Sequence, residues 1–256
     1  MGARLASLVW GLIAVLPAVG AELSAIETRW LQGALPVLQH AKASGLPLDI
    51  VVQPQAAPDL PPLALAFVDG RCKFVLSMRG NPAAQRTLET IEPSLVDGAL
   101  ELMAAHELGH CLRHLAGRWQ SNPSGAAPVF PAALPAERRA DHAQMQATRR
   151  EEGYGDLAGL AWIAHKRPAQ YDALYRWLLR ERSTDLLPGS HYDTLAWLRL
   201  VEQPSALLGG GLFGRVNELW LQAVDAHEKG SEVGAGAAAQ AVSSAVNSGS
   251  PIGLSR

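Results

Sequence analysis

The sequence is short of several things, and each shortage narrows the field. It has almost no net charge, −2 over 256 residues. That leaves no basic field to hold nucleic acid and no strong pull toward anionic lipid. After the first 20 residues no apolar run approaches the roughly 20 residues a spanning helix needs. Internal repeats are absent. There are only two cysteines, Cys72 and Cys111, and neither lies near the N-terminus, so the lipoprotein class drops out. What remains is an ordinary globular composition, 48% hydrophobic and 18% charged, long enough for one domain with a sizeable core.

The N-terminus carries the signature of an export signal. Arg4 gives a short positive region, Leu5 to Leu16 is almost wholly apolar, and Ala18-Val19-Gly20-Ala21 supplies the small residues of a cleavage site. Residues 1–20 are therefore expected to be a signal peptide, with an uncleaved inner-membrane anchor as the alternative. The Ala-, Arg-, Gly- and Pro-rich composition points to a GC-rich bacterium, hence to the periplasm. In that oxidising compartment Cys72 and Cys111 are expected to pair. Residues 21–228 form the expected domain. Residues 229–256, rich in Ala, Gly and Ser, read as a disordered tail.

Within the domain, Leu23, Ile26, Trp30, Leu31, Leu35 and Leu38 predict a helix over 22–43, kinked or split at Pro36. Leu48–Val52 reads as a strand. Leu63–Val68 and Arg71–Met78 are joined by Asp69-Gly70, which predicts a hairpin with a type I′ turn. A helix is expected over 94–116, capped by Ser94 with Asp97 and stopped by Gly117. Gly117–Pro135 reads as a long loop. Further helices are expected over 136–150, from the Tyr154-Gly-Asp156 turn to His165, over 168–182, 191–201 and 212–228. This is an α+β pattern, mainly helical, with a small antiparallel sheet, the hairpin 63–78, beside the helix over 94–116.

That helix carries "MAAHELGHC", residues 103–111. Histidines four apart share a helical face, about 6 Å apart along the axis. His106 and His110 are thus placed to bind one zinc ion. Glu107, one step round, is placed to take a proton from a zinc-bound water, the chemistry of amide hydrolysis. His114 continues the face, but eight residues of helix span about 12 Å, too far to share an ion with His106. Arg113 and Ala116 stand where a metzincin needs glycine and histidine. The third ligand is sought in "AERRADH", 136–142. Glu137 would ligate, with His142 its rival, and Asp141 would accept a hydrogen bond from the non-ligating nitrogen of His106 or His110. A second Glu-x-x-x-Asp, Glu152 and Asp156, is interrupted by Gly153 and Gly155, which argue against a helical face there.

HELGH followed by Glu137-x-x-Ala-Asp141 resembles the gluzincin peptidases, and within them is similar to the HtpX, Oma-type and CAAX-prenyl-protease-like family. "LALAFVDGRCKFVLSMRG" stands where that family has its substrate-binding strand, "EEGYGDLAGLAWI" resembles its Gly-Tyr segment, and "PGSHYDTLAWLRL" its Ser/Thr-His-Pro segment. Tyr192 replaces the family proline, and Arg199 lies further on than the family arginine. The resemblance implies a zincin-like fold. It also implies a role for His191, as oxyanion stabiliser or as a ligand filling the open position at rest. The expected function is an exported zinc-dependent endopeptidase of the cell envelope, acting on a protein or peptide laid along a strand edge, here expected to be Arg71–Met78. One zinc ion is the expected cofactor. The alternative is a non-hydrolytic or latched zinc-containing binding or chaperone-like protein.

Overall fold

A computed structural model describes residues 22–53, 60–123, 125, 130, 134–184 and 186–225. The signal peptide, its cleavage site and the 229–256 tail expected from the sequence lie outside these residues.

The element order is α1 (Ala25–Ala43), β1 (Leu48–Val52), β2 (Leu63–Val68), β3 (Arg71–Leu76), α2 (Pro82–Glu89), α3 (Val96–Leu115), α4 (Arg139–Lys166), α5 (Tyr171–Ser183) and α6 (Leu195–Leu198). A last helical stretch covers 216–225. The class is α+β, mostly helical, with one small sheet.

Ser24 opens α1 with a full capping box, its hydroxyl and the Glu27 carboxylate each accepting a backbone N–H. Pro36 does not split the helix. It sits on the exposed side, so the carbonyl it leaves unpaired, that of Gln32, can be served by water. The opposite side, with Trp30, Ala34 and Val37, is buried. The helix over 94–116 begins later than expected. Pro93–Leu95 form a 3-10 turn, α3 starts at Val96 without a side-chain cap, and Ser94 donates to Glu92 instead. Gly117 does end it, at φ 63°, with its N–H on the His114 carbonyl.

The sheet corrects the expectation of a purely antiparallel pair. Its order is β1-β3-β2, with β1 parallel and β2 antiparallel to β3. The β2–β3 hairpin turns on Asp69 and Gly70, both at positive φ, as a type I′ turn requires. Arg71–Leu76 is therefore the central strand, hydrogen-bonded on both sides, and cannot take up another chain. The free edge beside α3 belongs to β2. Because Ser77 N–H bonds the Pro62 carbonyl, alternation along the ladder turns the N–H and C=O of Leu63, Leu65 and Phe67 away from β3.

α3 is the centre of the fold, packed against α1, α4 and the hairpin. The Cys72–Cys111 disulfide joins β3 to α3, with Cα atoms 5.7 Å apart, as the sequence predicted. α4 is one continuous helix of 28 residues. The two helices and intervening turn expected over 136–165 are not what forms. Gly153 and Gly155 do not break α4; they let neighbours approach it. A Cβ on Gly153 would enter the Trp197 indole, and one on Gly155 would lie 2.6–2.7 Å from atoms of the His106 ring. No helix among the described residues is long and apolar enough to cross a membrane.

Candidate metal centre

The chain brings together His106, His110 and Glu152, whose candidate ligand atoms all lie within 4.8 Å of one another. The first two come from α3 and the third from the middle of α4. The Glu152 carboxylate lies 3.5 Å from His106 Nε2 and 3.7 Å from His110 Nε2. Four ligands held tetrahedrally at 2.0–2.1 Å from zinc stand about 3.4 Å apart; each carboxylate oxygen stands near that distance from one of the two nitrogens, so the three side chains suit such an ion in kind and lie close to its spacing.

The expected third ligand is thereby corrected. Glu137 lies in the 3-10 turn before α4, exposed to solvent. Fifteen residues of helical chain separate it from Glu152, roughly 20 Å. Asp141, also exposed, is about 16 Å of helix from Glu152. Neither joins the histidines, and nor does His142, which packs against Phe130. The partner that Asp141 was to be is Asp156, one helical turn after Glu152, with its oxygen 3.0 Å from His106 Nδ1. A carboxylate accepts only, so the proton sits on Nδ1 and Nε2 keeps a lone pair for a metal.

Asp156 is fully buried and tied to three groups. Besides His106, it accepts from Arg182 at 2.7 and 2.9 Å and from the Thr194 hydroxyl at 2.6 Å. Burial alone would raise its pKa, but the charge of Arg182 and the bond to His106 outweigh that and hold it well below the ordinary carboxylate range. Arg182 also reaches Glu152, at 3.3 Å. Sequence reasoning passed over Arg182 and Thr194. They flank residues 186–193 in the chain, so one carboxylate ties both flanks together and orients His106.

The two imidazoles differ in charge preference. Burial disfavours a proton on His106, yet the hydrogen bond to Asp156 and the charges of Glu152 and Asp156 raise its pKa overall. Burial pushes His110 well down, toward the neutral form a metal requires. His110 Nδ1 is buried with no hydrogen-bond partner among the described residues.

Glu107 lies beside this group without joining it. Burial pushes its carboxyl up to about 7, an effect that the nearby Leu65 backbone of the free edge partly offsets. His106, Glu107, His110, Glu152 and Asp156 all line a cleft of about 630 Å³, walled also by β2, α5 and residues 186–192. His191 and Tyr192 lie on that wall with rings 4.0 Å apart. His191 is exposed and is not one of the three clustered ligands. His114 is not one of the three clustered residues; its ring stacks between Phe67 and Trp119.

The chain matches no known protein-family model, no curated protein and no solved structure.

Proposed function

We propose that this chain is a zinc-dependent endopeptidase with a zincin-like site. The observation that carries the proposal is the grouping of buried His106 and His110 with the partly buried Glu152, and Glu107 beside them, on a cleft lined by β2. His106, His110 and Glu152 would hold the ion, and three protein ligands leave a position open. When bound, zinc would supply Lewis acidity, polarising a carbonyl and lowering the pKa of a water toward 7.

The protein groups do the rest. Asp156 fixes the tautomer and tilt of His106, and Arg182 and Thr194 hold Asp156. An extended peptide would pair with the outward N–H and C=O groups of Leu63 and Phe67 and with the Leu65 carbonyl, adding a strand to the sheet. Its backbone would thus run past Glu107. There the carboxylate takes a proton from the attacking water and delivers it to the leaving amine. The site of action we propose, the periplasm, rests on the N-terminal sequence alone.

A second reading, a latched zinc-containing binding protein, is favoured by His191 on the cleft wall. As a fourth ligand it would close the site and make it structural. Glu107→Gln separates the two. On the peptidase reading the variant keeps one zinc per chain and loses cleavage of denatured casein. Wild-type cleavage by that variant refutes the mechanism. If zinc-loaded wild type does not cleave and His191→Phe does, the latched reading stands.

A further inference from the structure

Trp119, on the cleft wall, ends a stack of three rings. Phe67, at the end of β2, stacks on His114 of α3 at 4.7 Å and 10° between planes. His114 stacks in turn on Trp119 at 4.1 Å and 16°. Trp119 lines the cleft and meets His110 nearly at right angles, with ring centres 5.3 Å apart. Three nearly parallel rings from three different elements thus end beside the metal-binding group.

The backbone around Trp119 is held in place at some cost. The next residue, Gln120, sits at φ 54°, a left-handed conformation that side chains other than glycine seldom adopt. Its N–H donates to Glu151 at 2.8 Å. Glu151 is itself buried and doubly bonded to Arg113, at 2.9 and 3.0 Å, and Arg113 lies against the Trp220 ring at 4.1 Å. A fully paired buried ion pair therefore anchors the turn that carries an only partly buried tryptophan. Its ring neighbours are the half-buried His114 and the buried His110, and it lines the cleft.

We infer that the Phe67–His114–Trp119 stack is a subsite for an aromatic side chain of the substrate, with Trp119 as the residue that determines the preference. The inference rests on the peptidase reading and names its substrate class. Leu65 and Phe67 lie two residues apart on the same side of β2, about 7 Å along the strand. A peptide on this edge with one residue opposite Leu65, next to Glu107, places the side chain two residues away against the ring stack. Flat side chains gain there from ring–ring contact beyond the burial of area, worth about 3- to 10-fold over an aliphatic side chain of similar size. Trp30, His191 and Tyr192, which also line the cleft, do not belong to this stack.

Two measurements test this together. Cleavage sites in denatured casein are mapped for wild type, Trp119→Phe and Trp119→Ala. Wild type should show Phe, Tyr and Trp enriched at one fixed position from the cut bond. Trp119→Phe should keep the enrichment, and Trp119→Ala should lose it while retaining one zinc per chain. In parallel, zinc-loaded Glu107→Gln and its Trp119→Ala double variant are titrated with labelled hexapeptides that differ only in carrying Phe, Leu or Ala at one position. The Phe peptide should bind about 3- to 10-fold more tightly than the Leu peptide, and only when Trp119 is present. An enrichment that is absent, or that survives Trp119→Ala, overturns the subsite and leaves the peptidase reading standing. Trp119-dependent binding without cleavage by wild type overturns the peptidase reading and leaves the subsite standing. Neither cleavage nor Trp119-dependent binding overturns both.

Discussion

Gly155→Ala should strike the metal centre without dismantling the fold. The new methyl would stand 2.6 Å from His106 Cε1 and 2.7 Å from both ring nitrogens. Ordinary contact needs about 3.5 Å, so the ring must retreat by roughly 1 Å. It cannot retreat freely, because Asp156, on the residue next to the new methyl, holds its Nδ1. Metal sites tolerate displacements of about 0.2 Å. Disturbing the groups that orient a ligand typically weakens metal binding 10- to 100-fold, and displacement of the ligand itself should reach at least that. The fold feels less. Alanine inside a helix is favoured over glycine by about 1 kcal/mol, against an overpacking cost of about 1–3 kcal/mol. The metal-free variant should lose at most about 2 kcal/mol, or roughly 4–8 °C in Tm.

Competition with a chromophoric chelator gives the zinc affinity, and scanning calorimetry of the metal-free protein gives the stability. Gly159→Ala is the control. Its methyl would lie 2.8 Å from the Leu102 carbonyl oxygen, overpacking the same helix contact one turn away from His106. It should cost stability and leave zinc affinity near wild type. Wild-type affinity in Gly155→Ala, or equal losses in both variants, would refute the assignment of Gly155 as the residue that makes room for His106.

Three other perturbations follow from the same coordinates. Removing the disulfide with Cys72→Ala and Cys111→Ala opens a link across 39 residues, which by loop-closure entropy costs about 4 kcal/mol; denaturant titration showing under about 1 kcal/mol would contradict this. Glu27 is buried and held below its ordinary value of 4.5, chiefly by hydrogen bonds from Arg79. A lowered carboxylate pKa stabilises above the unfolded value and loses that contribution as pH falls through the folded one. Glu27→Gln should therefore cost about 1.5–3 kcal/mol at pH 7, with the gap to wild type narrowing as the pH falls below 4.5 and through the lowered folded pKa; a gap independent of pH would show that the charge is irrelevant. Gly153→Ala would push a methyl into the Trp197 ring and should destabilise by about 1–3 kcal/mol, measured by thermal unfolding with zinc affinity as the second readout; a neutral or stabilising outcome would mean that Trp197 moves aside at no cost.

Much of the scaffold was legible because it depends on local chemistry. The alternation in Arg71–Met78 and the Asp69-Gly70 turn specified the hairpin, and the His-x-x-x-His spacing specified two histidines on one face of α3. Cys72 and Cys111 pair, as expected. Glu152, the carboxylate that joins the two histidines, was not legible, for a definite reason. Gly153 and Gly155 carry the signal of a broken helix, because in isolation each weakens it. In the fold they are the condition for α4 to approach Trp197 and His106 closely, and so to deliver Glu152 and Asp156 to α3. "AERRADH" has the better local helix pattern, and its carboxylates sit in water. One feature did point the right way: the tight packing of small residues in "GYGDLAG", residues 153–159, is what a helix needs to pack closely on another. Strand order was illegible for a similar reason. Nothing in Leu48–Val52 tells that it pairs in parallel with β3, and that pairing moves the free edge to β2.

The central claim is that one divalent ion is held by His106, His110 and Glu152. It is tested most directly by zinc content per chain, measured by mass spectrometry after loading and desalting, for wild type, Glu152→Ala and Glu137→Ala. The account predicts one zinc in wild type and in Glu137→Ala, and a large loss in Glu152→Ala. Zinc lost from Glu137→Ala and kept in Glu152→Ala, or no zinc in the wild-type chain, would contradict it.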